Sequence, residues 1–375
     1  MRNGRRQVRP ERSVRRERST GAVPPVVAVT GAARGVGHAL VTRLAGSDRL
    51  GRVVAIDDHR GDAVGVMWRL ADVRDPTLAS RLTDVDVVVH TDVDAAADSN
   101  PRDRRARNVR GAQTVLTAAA AERVGRVILV TSAMVYGARP DNPVPLPEDA
   151  PLLADSGGSL AGDLIEIEEL ARRSRRVNPG TSVTVVRPAA LVGDALDTLL
   201  TRHFEAPRLL VARGCAPRWQ FCHIDDLAAA LELAAAGVVD GDFAVGCDGS
   251  LSQGEVESLS GLKSLELPAR LTFSTAQRLH RLGVIPSPSA ELRYVVYPWV
   301  VECAALHAAG WRPAFSNAEA LSVLLAARQG RHAVAGRRIA RKDAAITAAG
   351  AAGTAAVVIG TAAIVRRARK KAGQE

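Results

Sequence analysis

The stretch Val26-Val27-Ala28-Val29-Thr30-Gly31-Ala32-Ala33-Arg34-Gly35-Val36-Gly37 decides the fold of this 375-residue chain. Its first five residues form a short apolar run, which is typical of a strand buried on both faces. Three glycines follow, and the next segment, Val36–Ala45, has helical character. A glycine-rich turn between a strand and a helix lets the backbone approach a phosphate at the positive end of the helix. The stretch therefore predicts an α/β fold that binds a phosphate-containing ligand.

Apolar runs and helical segments then alternate along the chain. The further predicted strands are Val53–Asp57, Val85–His90, Val127–Ser132 and Val183–Pro188. The further predicted helices are Val109–Arg123 and Leu164–Arg176. Such alternation indicates βαβ units. We therefore expect an α/β fold of the Rossmann type, a doubly wound parallel sheet with a smaller C-terminal substrate domain.

The net charge of +10 lies in the two ends of the chain. Residues 1–20 carry a net charge of +6 and residues 331–375 a net charge of +8, whereas 21–330 hold 32 basic and 36 acidic residues. A nucleic-acid-binding domain carries its basic patch on the folded body, so nucleic acid is not an expected partner. Four cysteines without a CxxC pair argue against a disulfide scaffold or a zinc ribbon and favour a reducing compartment. We expect no metal site.

Composition changes divide the chain into four predicted parts. Residues 1–22 form a basic tail without an apolar run, and 23–195 form the nucleotide-binding domain, to which later segments can return. Residues 196–330 form a substrate-side domain, and 331–375 a basic linker and tail. The oligomeric state stays open, with a homodimer as one alternative.

The tail contains 22 uncharged residues, 344–365, bracketed by Arg and Lys. That length spans a bilayer as a helix, but ten of the 22 residues are Ala and only six are Ile or Val. We interpret the segment as a transmembrane anchor, with a soluble or surface-lying helix as the alternatives. The anchor would hold a cytoplasmic body at the plasma membrane.

Asp57 ends the second predicted strand, beside the glycine-rich turn. A carboxylate at this place accepts hydrogen bonds from the ribose hydroxyls of a dinucleotide. It would repel the 2′-phosphate of NADP, which favours NAD. Arg34 would pair with that phosphate, so NADP stays open as an alternative.

The chain resembles the extended short-chain dehydrogenase/reductases, the NAD-dependent epimerase/dehydratase family, over residues 25–330. Besides the glycine-rich turn, seven segments carry the resemblance in the order of the family: Asp72-Val73, Val87–His90, Asn108–Gly111, Val130–Gly137, Pro147–Pro151, Val186–Pro188 and Phe221–Leu227. The resemblance implies an oxidoreductase or epimerase that acts on a CH–OH or ketone group of a sugar nucleotide or a sterol-like lipid. The cofactor-binding residues it implies, together with those of the turn, are Gly31, Arg34, Gly35, Val36, Gly37, Asp57, Asp72, Val73, His90 and Pro188.

Ser132 stands at the position of the family's catalytic serine. The family also uses a Tyr with a Lys four residues later as its acid/base pair, and none of the three tyrosines here has such a lysine. Where the pair belongs, the chain reads Ser159–Leu164. Tyr136 is the substitute acid that we consider. Two further departures are the spacing of the three glycines, typical of the short branch, and Asp92, whose charge would repel a pyrophosphate.

Two functions follow from this pattern. The first is NAD-dependent oxidoreductase or epimerase chemistry on a small molecule. The alternative is a catalytically silent dinucleotide-binding protein, tethered to a membrane as a regulatory or scaffolding partner. For the turn itself, we expect a side chain at Gly37 to block the pyrophosphate and leave the fold intact.

Overall fold

The computed structural model describes residues 24–194, 196–268 and 291–327, and two short strands beyond them. Its strands are β1 (Val27–Thr30), β2 (Val53–Asp57), β3 (Met67–Leu70), β4 (Val87–His90), β5 (Arg126–Val130), β6 (Ser182–Pro188), β7 (Ala190–Val192), β8 (Leu209–Arg213), β9 (Arg218–Trp219), β10 (Phe221–His223), β11 (Phe243–Val245), β12 (Leu251–Ser252), β13 (Ser264–Pro268), β14 (Ala333–Val334) and β15 (Arg337–Arg338).

The α-helices are α1 (Gly35–Ala45), α2 (Pro101–Arg105), α3 (Gly111–Ala121), α4 (Leu160–Val177), α5 (Leu199–Glu205), α6 (Ile224–Ala235), α7 (Gln253–Ser260), α8 (Arg293–Val296), α9 (Ala304–Ala308) and α10 (Asn317–Ala327). A π-helical turn, Ala106–Arg110, joins α2 to α3. The 3-10 turns are Pro76–Arg81 and Ala133–Tyr136.

Seven parallel strands form the main sheet, in the order β11-β6-β5-β4-β1-β2-β3. The chain starts in the middle and winds outward first through β2 and β3, then through β4, β5 and β6. This order confirms the prediction of a doubly wound, Rossmann-type sheet. Strands β1, β2 and β4 are buried along their whole length, as their continuous apolar runs predict.

The sequence patterns missed two strands of this sheet, β3 and β11. The edge strand β3 is partly exposed and lacks an apolar run, and β11 has only three residues. Strand β11 also comes from the part of the chain that we assign to the substrate side, and it pairs with β6. Helix α6, from the same later part of the chain, also packs on the nucleotide-binding domain. It contacts α1, and Nε of Arg43 in α1 lies 2.6 Å from Oε2 of Glu232 in α6.

The remaining strands form four small pairs: β7 with β10, β8 with β13, β9 with β12, and β14 with β15. The basic tail 1–22 and the segment 344–365 lie outside the described residues. Within the described ranges, no helix has the length and apolarity needed to cross a membrane. The division at residue 195 stays a prediction.

Candidate cofactor and substrate cleft

A cleft of about 530 Å³ opens where the winding of the sheet reverses, between β1 and β4. Ligands of open α/β sheets bind at this place, outside the carboxyl ends of the strands. Of the predicted site residues, the lining includes Gly31, Arg34, Gly35, Val36 and Ser132. The other predicted site residues lie outside this lining: Gly37, Asp57, Asp72, Val73, His90, Tyr136 and Pro188.

The glycine turn needs its glycines for different reasons. Gly31 has φ +76°, and a Cβ atom there would lie 2.8 Å from the Cα of Asp92. Gly35 has φ +53°, but a Cβ atom there would meet only Leu196, at 3.9 Å. Because Gly35 and Leu196 both line the cleft, the open side of Gly35 faces the ligand space. Gly35 is therefore the glycine that allows close approach of a ligand.

Gly37 has a structural role, which corrects our expectation that a side chain there would act on the ligand alone. A Cβ atom at this position would lie 1.9 Å from the carbonyl oxygen of Gly31. Real Cβ atoms do not approach backbone this closely, so the turn itself would have to move. Gly37 lets the first turn of α1 pack onto the glycine turn.

The N-terminus of α1 is open toward the cleft. Its N-cap residue, Arg34, has an extended backbone and makes no side-chain cap, and the first turn holds no acidic residue. By contrast, Ser159 caps α4 by accepting from the N–H of Gly162 at 3.1 Å. Uncapped N–H groups and the positive end of the helix dipole are what a phosphate requires.

Asp57 lies at the carboxyl end of β2, as predicted, and is 3% exposed. Its two carboxylate oxygens accept from the N–H groups of Ala33, at 2.9 Å, and Asp58, at 2.8 Å. Burial raises the pKa of Asp57. Each oxygen keeps a second lone pair for a ribose hydroxyl. Among the described residues, Asp57, Asp58 and His59 also hold ligand-type atoms within 4.8 Å of one another, two of them exposed, and we draw nothing from this cluster.

The other predicted cofactor residues lie around this end of the sheet. Asp72 bonds Arg74, which holds its pKa at about 2, and Val73 is buried beneath Gly111. His90 is fully buried, and its Nδ1 lies 2.7 Å from the Thr30 hydroxyl. Burial lowers the pKa of His90 to about 4, so the ring is neutral at pH 7. His90 ties the ends of β1 and β4 together.

Asp92 does not present a bare negative charge to the cleft. Its carboxylate pairs with Arg107, whose Nη2 lies 2.8 Å from Oδ1 and whose Nε lies 2.9 Å from the same atom. Burial raises the pKa of Asp92, while the arginine acts in the opposite sense. Arg107 lies on the π-helical turn, and no pattern in the sequence singled it out. Its charge removes the repulsion that Asp92 alone would exert.

Ser132 lies at the end of β5 and lines the cleft. Its Oγ accepts from the N–H of Met134 at 3.2 Å and donates to the carbonyl oxygen of Pro188 at 3.4 Å. The second contact is long, so the hydroxyl proton is weakly held and can turn toward a ligand. The serine is in place to donate a hydrogen bond to a substrate oxygen.

Tyr136 does not reach the cleft, which corrects the prediction that it substitutes for the missing acid. It is 1% exposed, and its hydroxyl donates to the carbonyl oxygen of Glu148 at 2.8 Å and accepts from Arg187 at 3.0 Å. Burial raises its pKa to about 12. Arg187 also pairs with Glu168 at 2.8 Å, so Tyr136 belongs to a buried polar network behind β5 and β6.

Helix α4 faces Ser132 with apolar side chains. Leu160 and Leu164 line the cleft, four residues apart, which is the spacing that places two side chains on one helix face. This face is where the family would present its Tyr and Lys. Neither residue type occurs in α4.

Another part of the lining comes from residues that the sequence did not indicate. Tyr294 lines the cleft, and its hydroxyl donates to the carbonyl oxygen of Met134 at 2.8 Å. Burial raises the pKa of Tyr294 far above its ordinary value. Glu291 accepts from the N–H of Leu160 at 3.2 Å and thereby holds the first turn of α4. Tyr294 is thus held as a neutral phenol.

The fold and the cleft define a Rossmann-type protein with a glycine-rich turn at the switch point of its sheet. The chain belongs to the NAD dependent epimerase/dehydratase family, whose model matches residues 27–246. Uncharacterised proteins of Mycobacterium tuberculosis and Mycobacterium bovis are 34% identical over 259 residues, which cover 65% of this chain and 68% of theirs.

Two solved structures show the same fold at low identity. MoeE5 in complex with UDP-glucuronic acid and NAD has a TM-score of 0.61 and 22% identity, over 81% of this chain and 99% of that one. DesIV, a dTDP-glucose 4,6-dehydratase from Streptomyces venezuelae with NAD and TYD bound, has a TM-score of 0.61 and 20% identity, over 81% and 97%. The family assignment and the fold confirm the predicted membership.

Proposed function

We propose that the chain binds NAD in the cleft and transfers hydride to or from a CH–OH or ketone group of a small molecule. The observation that carries the proposal is the uncapped N-terminus of α1, which opens into the cleft beside Gly35. The family is NAD-dependent, and structures of the same fold hold NAD.

The residues around the turn are of the types that would hold the pyrophosphate and the adenosine ribose of NAD. The first turn of α1 and the guanidinium of Arg34 would bind the pyrophosphate, with Asp92 neutralised by Arg107. Asp57 would accept from the adenosine ribose, and its position beside Asp58 disfavours a 2′-phosphate. When bound, NAD supplies a two-electron hydride acceptor. The chain's part is to orient the substrate oxygen through Ser132, while the hydroxyl proton passes to solvent water.

A second function is favoured by one observation, the apolar face of α4. Leu160 and Leu164 line the cleft and Tyr294 is held as a neutral phenol, so the described residues of α4 present no Tyr and Lys pair to the cleft. In this alternative the chain binds the dinucleotide without turnover and acts as a regulatory or scaffolding protein.

Calorimetric titration of the full chain with NAD, NADH, NADP and NADPH tests the proposal. We expect micromolar binding of NAD and NADH and at least tenfold weaker binding of the phosphorylated pair. Preference for NADP would show that Arg34 outweighs Asp57. Absence of binding by all four would overturn the proposal, and binding without any hydride exchange would favour the second function.

A further inference from the structure

Glu291 places a buried carboxylate in the wall of the cleft. Its side chain lines the cleft, and the residue is 6% exposed. Its Oε1 accepts from the backbone N–H of Leu160 at 3.2 Å. Among the residues that the structure describes, this is the hydrogen bond found for the carboxylate, and it takes one of about four lone-pair sites. Glu291 therefore has the chemistry to accept a proton inside the cleft.

The carboxylate lies in the region where the family would present its acid/base pair. Leu160 is the first residue of α4, and its side chain lines the cleft. Because Glu291 is bonded to the backbone nitrogen of Leu160, its oxygens lie next to the first turn of this helix. A proton acceptor is thus present beside the helix face that lacks the phenol and the ammonium group.

Glu291 and Ser132 are held against the same short segment of the chain. Tyr294, three residues after Glu291, donates its N–H to the carbonyl oxygen of Glu291 at 3.1 Å. The hydroxyl of Tyr294 donates to the carbonyl oxygen of Met134 at 2.8 Å, and Met134 donates its N–H to Oγ of Ser132 at 3.2 Å. Two residues therefore connect the turn that carries the carboxylate to the serine, and both Glu291 and Ser132 line the cleft.

The other carboxylates in the described lining are held by bonds that a proton would disturb. Asp92 and Asp197 each pair with an arginine, at 2.8 Å and 2.7 Å. Asp94 accepts from a backbone N–H at 3.1 Å and from a serine hydroxyl at 2.7 Å. A proton on Asp92 or Asp197 would neutralise one half of an ion pair, which costs free energy. A proton on Oε2 of Glu291, in contrast, leaves Oε1 able to keep its bond from the helix.

We propose that Glu291 is the catalytic base of this chain, in place of the Tyr and Lys pair that α4 lacks. The inference rests on the proposed function, in which Ser132 donates a hydrogen bond to the substrate oxygen. As the C–H bond breaks and its electron pair leaves with the hydrogen to NAD, the O–H proton moves to Oε2 of Glu291 and the C=O bond forms. The carboxyl group then passes this proton to solvent water.

The role of Glu291 belongs to alcohol oxidation, the direction in which the substrate loses a proton. The test therefore measures NADH formation by the full chain from NAD, with cyclohexanol and UDP-glucose as the two probes that carry secondary hydroxyls. Glu291→Gln keeps an oxygen that can accept from Leu160 but no longer takes the proton. NADH formation should fall at least a hundredfold, since a positioned base contributes about 10²–10⁴-fold.

The Kd for NAD and the midpoint of thermal unfolding should be the same in Glu291→Gln and the wild type. Glu169→Gln removes the same charge from an exposed position and is the matched control, with no expected change in rate, affinity or unfolding. Equal rates of NADH formation in Glu291→Gln and the wild type would overturn the inference and leave the proposed function standing.

Glu291→Ala is the second variant, because added formate can supply the carboxylate that the alanine lacks. We expect formate to raise the rate of NADH formation by Glu291→Ala at least tenfold and to leave that of the wild type unchanged. A role of Glu291 in holding α4 alone would give no rescue by formate, and that result would also overturn the inference. A wild type that binds NAD but forms no NADH from either probe would overturn the inference together with the proposed hydride transfer.

Discussion

The glycines of the turn have different roles, since some leave space for a ligand and others allow the turn to fold. Gly35 leaves space on the cleft side, whereas Gly37 lies against the carbonyl of Gly31. From the sequence alone, we expected both glycines to be required for contact with the pyrophosphate. Spacing along the chain shows where glycine is required, but which atom it makes room for depends on how α1 packs on the turn.

We expect Gly35→Ala to raise the Kd for NAD at least tenfold, because its methyl group would occupy the space that the phosphate needs. The positive φ adds about 1 kcal/mol of destabilisation. Gly180→Ala, at a glycine with no neighbour within 4 Å, is the matched control and should change neither quantity. Calorimetry and thermal unfolding measure both. Equal NAD affinity in Gly35→Ala and the wild type would contradict our assignment of the turn.

Arg107 should control the pH dependence of NAD binding. In Arg107→Ala the carboxylate of Asp92 loses the partner that lowers its pKa, and burial then raises that pKa further. NAD should bind the variant more weakly than the wild type at pH 8. The loss should shrink as pH falls through the raised pKa, since protonated Asp92 no longer repels phosphate. Asp92→Asn combined with Arg107→Ala should show no such pH dependence in calorimetric titrations from pH 5 to 8.

At the scale of elements, strands β1, β2 and β4 and helix α1 were predictable because each carries a strong local pattern, whereas the partly exposed edge strand β3 does not. Helix α4 was predicted from Leu164 and begins at Leu160, four residues earlier. Its cap, Ser159, is a local contact to Gly162, but the bond that Leu160 N–H donates to Glu291 spans 131 residues of sequence, which no local pattern reveals. The lining residues from α5 and α8 were missed for the same reason, since both helices are short and reach the cleft only through the fold.

Helix α4 also offers a gain-of-function experiment. The double variant Leu160→Tyr and Leu164→Lys places a phenol and an ammonium four residues apart on the face toward Ser132. Such a pair contributes about 10²–10⁴-fold to proton transfer, so NADH oxidation with an added ketone should rise at least a hundredfold. Leu160→Phe with Leu164→Met restores similar bulk without the proton-transfer groups and is the control. Equal rates in the two double variants would show that the face of α4 is not where the proton is exchanged.

At the scale of the whole molecule, the main sheet is assembled from distant parts of the chain. Strand β6 ends at Pro188, and its outer neighbour β11 begins at Phe243. The composition change near residue 195 predicted a domain boundary. Composition does not show, however, that the later strand β11 pairs with the edge of β6 in the main sheet. Strand β11 has only three residues, which is too short a pattern to predict from the sequence that the chain returns to the main sheet.

We expect a chain that ends at residue 195 to fail to fold into a soluble monomer. It would lack both the outer strand beside β6 and the helix that covers α1, so an unpaired sheet edge and an apolar helix face would be exposed. A chain that ends at 327 retains both and is the control. Size-exclusion chromatography and urea unfolding distinguish them, and a cooperative, monomeric transition in the shorter chain would refute the expectation.

The late position of β11 in the chain has a consequence for folding during synthesis. A ribosome delivers the chain from its N-terminus, so β1 to β6 leave the exit tunnel before β11, which lies more than fifty residues further along the chain. During that interval the outer edge of β6 has no neighbour and can pair with strands of other nascent chains. Substitutions that slow translation between residues 190 and 245 should therefore lower the soluble yield without any change in the finished protein.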